Sequence, residues 1–312
     1  TFEDFLRPIA DSELSIKAII SDKQTGLLPA VATIFPETEH GLCHLHYLKN
    51  LADPVAEADQ TMKVTLRSHV SLHVGELLRQ EQVENPGILT VTGMLPTPIV
   101  EDEPALPNIS VKQEREDIVT TLLRRVRYLL TLKGRSPFRL AGIEMVERLT
   151  EIIACLTELI AHYSDLRLVQ LQQGLQKALR VVAKEYEKLQ VVTNWLHHIA
   201  DLLDPDGKDP RTGDEVRDEL FSYLEELRQH TEGDGVMGSF VLDFYGLTSR
   251  YAVGLFHTYD ILGLPRTNND RESEFRDLRR RLLMTTGQQG VTRRWLQRSG
   301  AWELIPHPDS FA

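Results

Sequence analysis

Strand-type patterns are confined to the first 43 residues of this chain, and helical spacing dominates the remaining residues. Residues 14–21 are dense in β-branched side chains and predict a strand, and residues 40–43 predict a shorter one. Apolar spacing predicts one helix over residues 2–9 and another over residues 25–35. The order helix, strand, helix, strand is typical of an α/β layer fold with a mostly parallel sheet. Because two strands rarely form a stable sheet alone, we expect further strands upstream of this sequence.

The middle of the chain predicts a large all-helical unit of bundle type. Helical patterns separated by turn residues cover six segments: residues 44–82, 114–132, 138–163, 166–203, 214–230 and 239–257. A break in the first of them is expected at Asp53-Pro54, because proline cannot donate the helical hydrogen bond. Five prolines between residues 85 and 108 predict a flexible loop over about residues 85–110.

The distribution of charge restricts the kind of partner. The 312 residues include 35 basic and 46 acidic side chains, so the net charge of −11 disfavours nucleic-acid binding by the whole surface. Residues 271–298 nevertheless contain eight arginines and three acids, and a second basic cluster lies within residues 124–139. Local contact with a polyanion explains these clusters, and a solvated helix face explains either one equally well.

Several features bear on location. No apolar run is long enough to span a bilayer, and the first residues do not have the pattern of a signal peptide. Two cysteines, Cys43 and Cys155, do not make a disulfide framework. We therefore expect a cytoplasmic protein without a membrane partner.

Two acids far apart in the sequence are candidate metal ligands. Asp22 follows the first predicted strand, where the backbone is fixed and the carboxylate reaches solvent. Glu272 falls in the first turn of a helix that is predicted to start after Thr267-Asn268-Asn269. Carboxylates from separate elements can hold the Mg²⁺ or Mn²⁺ ions used in phosphoryl transfer. Taken singly, Asp22 could also be a turn or cap residue, and Glu272 a glutamate favoured by the helix dipole.

A Cys-x-x-His motif, Cys43 and His46, follows the second predicted strand. Because no second Cys or His pair has a suitable spacing, the motif is poor evidence for zinc. His46 could instead orient a catalytic carboxylate. The alternative is a buried cysteine and a hydrogen-bonded histidine that join a strand to a helix.

The order of these motifs resembles that of DDE transposases with a ribonuclease-H-like fold, most closely the Mutator-like group and related bacterial insertion-sequence transposases. The resemblance covers residues 14–50, which contain Ile-Ile-Ser-Asp22 and the Cys-x-x-His motif, and residues 256–287, which contain Thr-Asn-Asn-Asp-Arg-Glu272. It implies an α/β ribonuclease-H-like core with an incomplete sheet and a large all-α insertion. It also implies that Asp22 and Glu272 are catalytic metal ligands and that Cys43 and His46 support them.

This resemblance implies four regions. Residues 1–52 would be a partial catalytic core, residues 53–255 the helical insertion, residues 256–290 the return to the core, and residues 291–312 a C-terminal tail. The family's first catalytic Asp lies on a strand upstream of anything in this sequence. We therefore expect an N-terminally truncated transposase for DNA cleavage and strand transfer at transposon ends, inactive alone because one acid is missing.

The resemblance also implies partners. DNA, as transposon ends and as target, would be the substrate, and a second copy of the chain is expected because paired ends need paired subunits. Arg266, Arg276, Arg279 and Arg280 are the expected phosphate contacts, and the last three share one helix face. A prokaryotic, nucleoid-associated location is implied as well. The alternative is a non-catalytic helical interaction or scaffold protein, in which Asp22 and Glu272 are cap residues.

Overall fold

The computed structural model describes residues 1–12, 14–84, 118–204 and 210–269, with residues 273, 276, 277, 280 and 284. Their secondary-structure elements are α1 (Phe2–Ala10), β1 (Ala18–Ser21), α2 (Leu27–Ile34), β2 (Glu39–Leu42), α3 (His44–Glu84), α4 (Ile118–Leu129), α5 (Ala141–His162), α6 (Leu166–Leu203), α7 (Gly213–His230), α8 (Gly235–Leu255) and α9 (His257–Asp260). The prediction of a predominantly helical chain with a small parallel sheet is confirmed for the described residues.

Two local predictions were wrong. The first strand begins at Ala18 instead of residue 14, so only its second half is paired. The helix break expected at Pro54 does not occur, and α3 continues through that proline. Leu51 and Val55 are buried on either side of it, and the apolar area they bury offsets the hydrogen bond that proline cannot make. The expected loop over residues 85–110 and the tail over residues 291–312 lie wholly outside the described residues.

The described residues divide into two compact units. The first unit takes its described residues from Thr1–Tyr47, Leu202–Phe221 and Thr248–Ala312, and the second takes them from Leu48–Asp201 and Ser222–Leu247. The first unit therefore contains both strands and draws on both ends of the chain. The region boundaries expected after residues 52, 255 and 290 stay predictions.

The first unit is built on the two-stranded sheet. β1 and β2 are parallel, with Ile19 opposite His40 and Ser21 opposite Leu42. The backbone N–H of Cys43 donates to Ser21 O over 2.8 Å and extends the ladder beyond β2. This hydrogen bond ties the start of α3 to the end of β1, which is where the candidate site lies.

Three helices, α1, α2 and α8, pack against this sheet. Leu6 of α1 and Val31 of α2 form a small core with Ile19 of β1 packed against it. Near the end of α8, Gly254 approaches β2 so closely that a Cβ there would lie 2.8 Å from His40 O. A side chain at position 254 would therefore push the helix away from the sheet, and glycine is required by this close approach.

In the second unit, a buried acid of α3 caps a different helix. The Asp59 carboxylate accepts hydrogen bonds from the backbone N–H groups of Gly142 and Ile143, each over 2.8 Å. These groups belong to the first turn of α5, whose own N-cap residue, Leu140, provides no side-chain cap. Burial raises the pKa of Asp59, although the two hydrogen bonds act in the opposite direction. Asp59 thus satisfies a helix start that its local sequence leaves open.

A second buried acid of α3 neutralises part of the predicted basic cluster at residues 124–139. Glu81 is 3 % exposed and pairs with Arg124 Nε at 3.1 Å and with Arg127 Nη1 at 2.6 Å. Farther along, Arg139 pairs with Glu144 at 3.3 Å. Three of the six basic side chains in the cluster are therefore paired with the protein's own acids. The other three are exposed, namely Arg125, Lys133 and Arg135.

Candidate functional site

Asp22 lies where the sequence predicted it, directly after β1 at the carboxyl end of the parallel sheet. Its backbone carbonyl accepts hydrogen bonds from Ser21 Oγ at 2.9 Å and from the Gln24 N–H at 2.8 Å. Its partly buried carboxylate has no hydrogen bond or ion pair with any described residue. α2 starts after Gly26 and has no side-chain cap. Asp22 is therefore not the cap of α2, and its carboxylate is available for a ligand.

Two residues that the sequence did not single out hold the backbone at Asp22. His40 Nε2 lies 2.7 Å from Ser21 Oγ, and the Ser21 hydroxyl donates to Asp22 O. With the hydroxyl hydrogen used in this way, the His40 Nε2–H donates to Ser21 Oγ. Burial, and then the charge of His257, lower the pKa of His40, which keeps the ring neutral at pH 7. Nothing in the sequence shows this chain of bonds, because it depends on the register of β1 against β2.

The Cys-x-x-His motif and the Thr-Asn-Asn turn meet in the structure. Buried Cys43 donates from Sγ to Asn268 Oδ1 over 3.0 Å, although 225 positions separate the two residues. In return, the backbone N–H of Asn268 donates to Cys43 Sγ over 3.4 Å. Because Cys43 N–H is also bonded to Ser21 O, the turn is two hydrogen bonds away from the end of β1, which Asp22 follows.

His44 is hydrogen-bonded to the part of the chain that leads to Asn268. Its ring is 0 % exposed, and Nε2 lies 2.9 Å from Leu255 O and 3.1 Å from Thr258 Oγ1. A carbonyl only accepts, so Nε2 carries the hydrogen. The His44 backbone N–H donates to Arg266 O over 3.0 Å. Burial lowers the pKa of His44 to about 4, so the ring is neutral at pH 7.

Arg266 is placed differently from what we expected. Its side chain is 8 % exposed, and Nη1 donates to Asp204 O at 2.6 Å and to Asp204 Oδ2 at 3.1 Å. The guanidinium carbon lies 4.1 Å from the centre of the Tyr259 ring. These contacts point the charge into the protein, so the geometry gives Arg266 a structural role in place of the expected DNA contact.

The other expected phosphate contacts are only partly described. Arg276 and Arg280 are exposed, and Arg276 Nη2 donates to Ser273 Oγ over 2.8 Å. Arg279 lies outside the described residues, as does Glu272. The assignment of Arg276 and Arg280 to DNA therefore stays a prediction that their exposure permits.

The described residues do not by themselves make a metal site. His46 is partly buried one turn along α3 from Cys43. No group of three or more His, Cys, Asp or Glu side chains in the described part of the chain is arranged to hold a metal ion. The carboxylate of Asp22 alone supplies too few ligands for Mg²⁺, because this ion is coordinated by several oxygen atoms. The pairing of Asp22 with Glu272 around a cation stays a prediction.

Comparisons with family models, with curated proteins and with solved structures find no match to this chain. The class of protein therefore rests on the motifs and on the geometry of the candidate site. Among the helices that the structure describes, none combines the length and the apolar character of a membrane span.

Proposed function

We propose that this chain is part of the catalytic region of a DDE transposase, which performs metal-dependent DNA strand cleavage and strand transfer at transposon ends. The observation that carries the proposal is the pairing of Cys43 with Asn268 across 225 positions. It brings two of the three motifs of the resemblance together next to the third, Asp22. The free carboxylate of Asp22 supports the same function, since an acid that served only as a cap would be hydrogen-bonded.

In the proposed site, Asp22 and Glu272 would share Mg²⁺ or Mn²⁺, and the bound ion would supply charge stabilisation at a scissile phosphate. The remaining roles belong to the protein. Ser21 fixes the backbone that carries Asp22, and Asn268 anchors the turn that precedes Glu272. The sheet of the first unit would be part of a ribonuclease-H-like core, and the second unit would be the helical insertion.

Iron-directed cleavage of the protein tests the proposed cation site. Fe²⁺ substitutes for Mg²⁺, and with ascorbate and peroxide it produces hydroxyl radicals that cut the backbone beside the ion. We expect two cuts, near Asp22 and near Glu272, that excess Mg²⁺ suppresses and that the variant D22N lacks. The matched control is D11N, because Asp11 is an exposed acid at the end of α1.

The same experiment separates the transposase from the scaffold interpretation. Cuts near only one of the two acids, or cuts that D22N leaves unchanged, would show that the acids do not share a cation. The scaffold interpretation would then be preferred.

The proposed partners are duplex DNA and a second copy of the chain. Light scattering on the chain alone and with a DNA duplex measures the number of chains in the complex and whether DNA is bound. We expect the mass of the complex to correspond to an even number of chains. A complex that contains a single chain at saturating DNA would contradict the proposed pairing.

A further inference from the structure

Lys23, the residue after Asp22, reaches the backbone of a second basic residue, Arg250. The Lys23 ammonium donates to the backbone carbonyl of Arg250, and 227 positions separate the two residues. The Tyr251 ring supports the same ammonium, with Nζ 4.7 Å from the ring centre. Within the described part of the chain, neither Lys23 nor Arg250 forms an ion pair with an acid. The fold therefore brings the Lys23 ammonium to the backbone of residue 250, and no described acid pairs with either basic side chain.

Charges of the same sign repel each other when they are close. Burial, and then the charge of Arg250, lower the pKa of Lys23. The charge of Arg250 therefore acts on the Lys23 ammonium. An anion that contacts both side chains would remove the repulsion and would be bound by charge-assisted hydrogen bonds.

Other arginines on the surface are already paired with acids. Arg148 pairs with Glu151 at 3.0 Å, and Arg228 pairs with Glu225 at 2.8 Å, each with an acid three positions away on its own helix. Acids outnumber basic residues by 46 to 35 in the whole chain. Lys23 and Arg250 have no such acidic partner among the described residues.

We propose that Lys23 and Arg250 bind a phosphate group of a nucleic-acid backbone beside Asp22. The identity of the ligand as nucleic acid rests on the proposed function. The two side chains suit the task in different ways, because Lys23 is a point charge fixed by a carbonyl and a ring, and Arg250 is an exposed planar fork. Phosphate bound there would place the nucleic-acid backbone next to the free carboxylate of Asp22.

A purely structural role for Lys23 makes a different prediction. The carbonyl that Lys23 contacts belongs to the backbone of residue 250, so replacing the Arg250 side chain leaves that hydrogen bond in place. In a structural role, R250Q would change nothing. In phosphate binding, R250Q would weaken the site.

Fluorescence anisotropy with a labelled 30-base-pair duplex, in EDTA and over a series of salt concentrations, tests the proposal. Each lost phosphate contact reduces the slope of log K against log [salt] by about 0.9. We expect the double variant K23Q/R250Q to lower the slope by about one to two units and the affinity about tenfold at moderate salt. R250Q alone should show about half of the effect, and K23R/R250K should retain most of the binding.

The matched control is R148Q/R228Q, which removes the same charge from arginines that are already paired. A control that lowers the slope as much as K23Q/R250Q does would reduce the effect to net charge and overturn the proposal. R250Q with an unchanged slope would overturn it as well, and so would a wild-type chain that does not bind DNA. Thermal unfolding by circular dichroism identifies any loss that comes from misfolding, and R250Q keeps the test valid if K23Q does not fold.

Two further measurements distinguish the phosphate site from a small-anion site and from the proposed cation site. If millimolar inorganic phosphate binds and duplex DNA does not, the site is a small-anion site and the nucleic-acid assignment fails. The Fe²⁺ experiment is done without DNA, so it reports on the cation site alone. Cuts at Asp22 with an unchanged slope in R250Q would leave the proposed function standing and remove only the phosphate site.

Discussion

Cys43 and Asn268 form a reciprocal hydrogen-bonded pair, in which the thiol donates to Oδ1 at 3.0 Å and the Asn268 N–H donates to sulfur at 3.4 Å. The pair joins two distant parts of the first unit, because Cys43 follows β2 and Asn268 lies in the turn after α9. Its position next to the end of β1 makes it the anchor of the candidate site.

A double-mutant cycle measures this anchor. C43A and N268A each remove one partner, so each should lower the free energy of unfolding by about 1–2 kcal/mol. The double variant should lose less than the sum, with a coupling of about 1 kcal/mol in urea denaturation. The control pair is C155A and N268A, since Cys155 is an exposed cysteine of α5. Additive losses for Cys43 and Asn268 would show that the contact does not stabilise the unit.

The buried ring of His44 should make stability depend on pH. Its pKa falls from 6.5 to about 4 on burial, so below pH 6.5 the unfolded state binds a proton that the folded state does not. Stability should therefore be unaffected by His44 above pH 6.5 and should fall by about 1.4 kcal/mol per pH unit between pH 6.5 and 4. The total is about 3 kcal/mol. His40, whose pKa is also lowered by burial, acts in the same direction.

Urea midpoints measured between pH 4 and 7 check this pH dependence. H44Q should be less stable at pH 7 but should have a flatter profile than the wild type. H162Q is the control, because His162 is an exposed residue at the end of α5. Parallel profiles for the wild type and H44Q would contradict the prediction.

Removing the buried acid Glu81 should destabilise the second unit. In E81Q, Arg124 and Arg127 lose the carboxylate that neutralises them, and both are only 24 % exposed. We expect a loss of about 2–3 kcal/mol, below the value for a fully buried pair because solvent reaches the arginines. In E151Q the exposed partner of Arg148 is removed, and the loss should be below about 0.5 kcal/mol. Equal losses in the two variants would be inconsistent with a buried ion pair at Glu81.

Arg266 and Arg280 should respond oppositely to substitution. R266A removes the contacts of the guanidinium with Asp204 and the Tyr259 ring, so it should lower the unfolding free energy by about 3 kcal/mol. R280A removes an exposed charge and should leave the unfolding temperature unchanged. In DNA binding, R280A should lower the salt slope by about 0.9. A stable R266A, or an R280A variant with an unchanged slope, would reverse these assignments.

Much of the secondary structure could be predicted from the sequence. The apolar spacing predicted a helix over residues 166–203, and α6 covers Leu166–Leu203. Such a pattern depends on neighbours three and four positions apart, which are present in the sequence itself. Pro54 is an exception, because the buried contacts of Leu51 and Val55 on either side of it outweigh its local preference.

The candidate site was predicted only in part. The sequence placed Asp22 at a strand end because of the local strand pattern, and it selected Cys43 through the Cys-x-x-His motif. It could not show that His40 bonds to Ser21 or that Lys23 lies against Arg250, since those contacts join separate elements. The Asp22–Glu272 pairing stays a prediction, because Glu272 lies outside the described residues.

The sequence by itself determined where most of the chain is helical, where the two strands lie and which acid follows the first of them. Only the tertiary structure decided which charges remain free for a ligand. Arg266 and Arg124 are ordinary arginines in the sequence, yet they are paired with acids 62 and 43 positions away. The apolar spacing of a helix or strand depends on residues close together in the sequence. The partner of a charged side chain depends instead on which distant elements fold beside it.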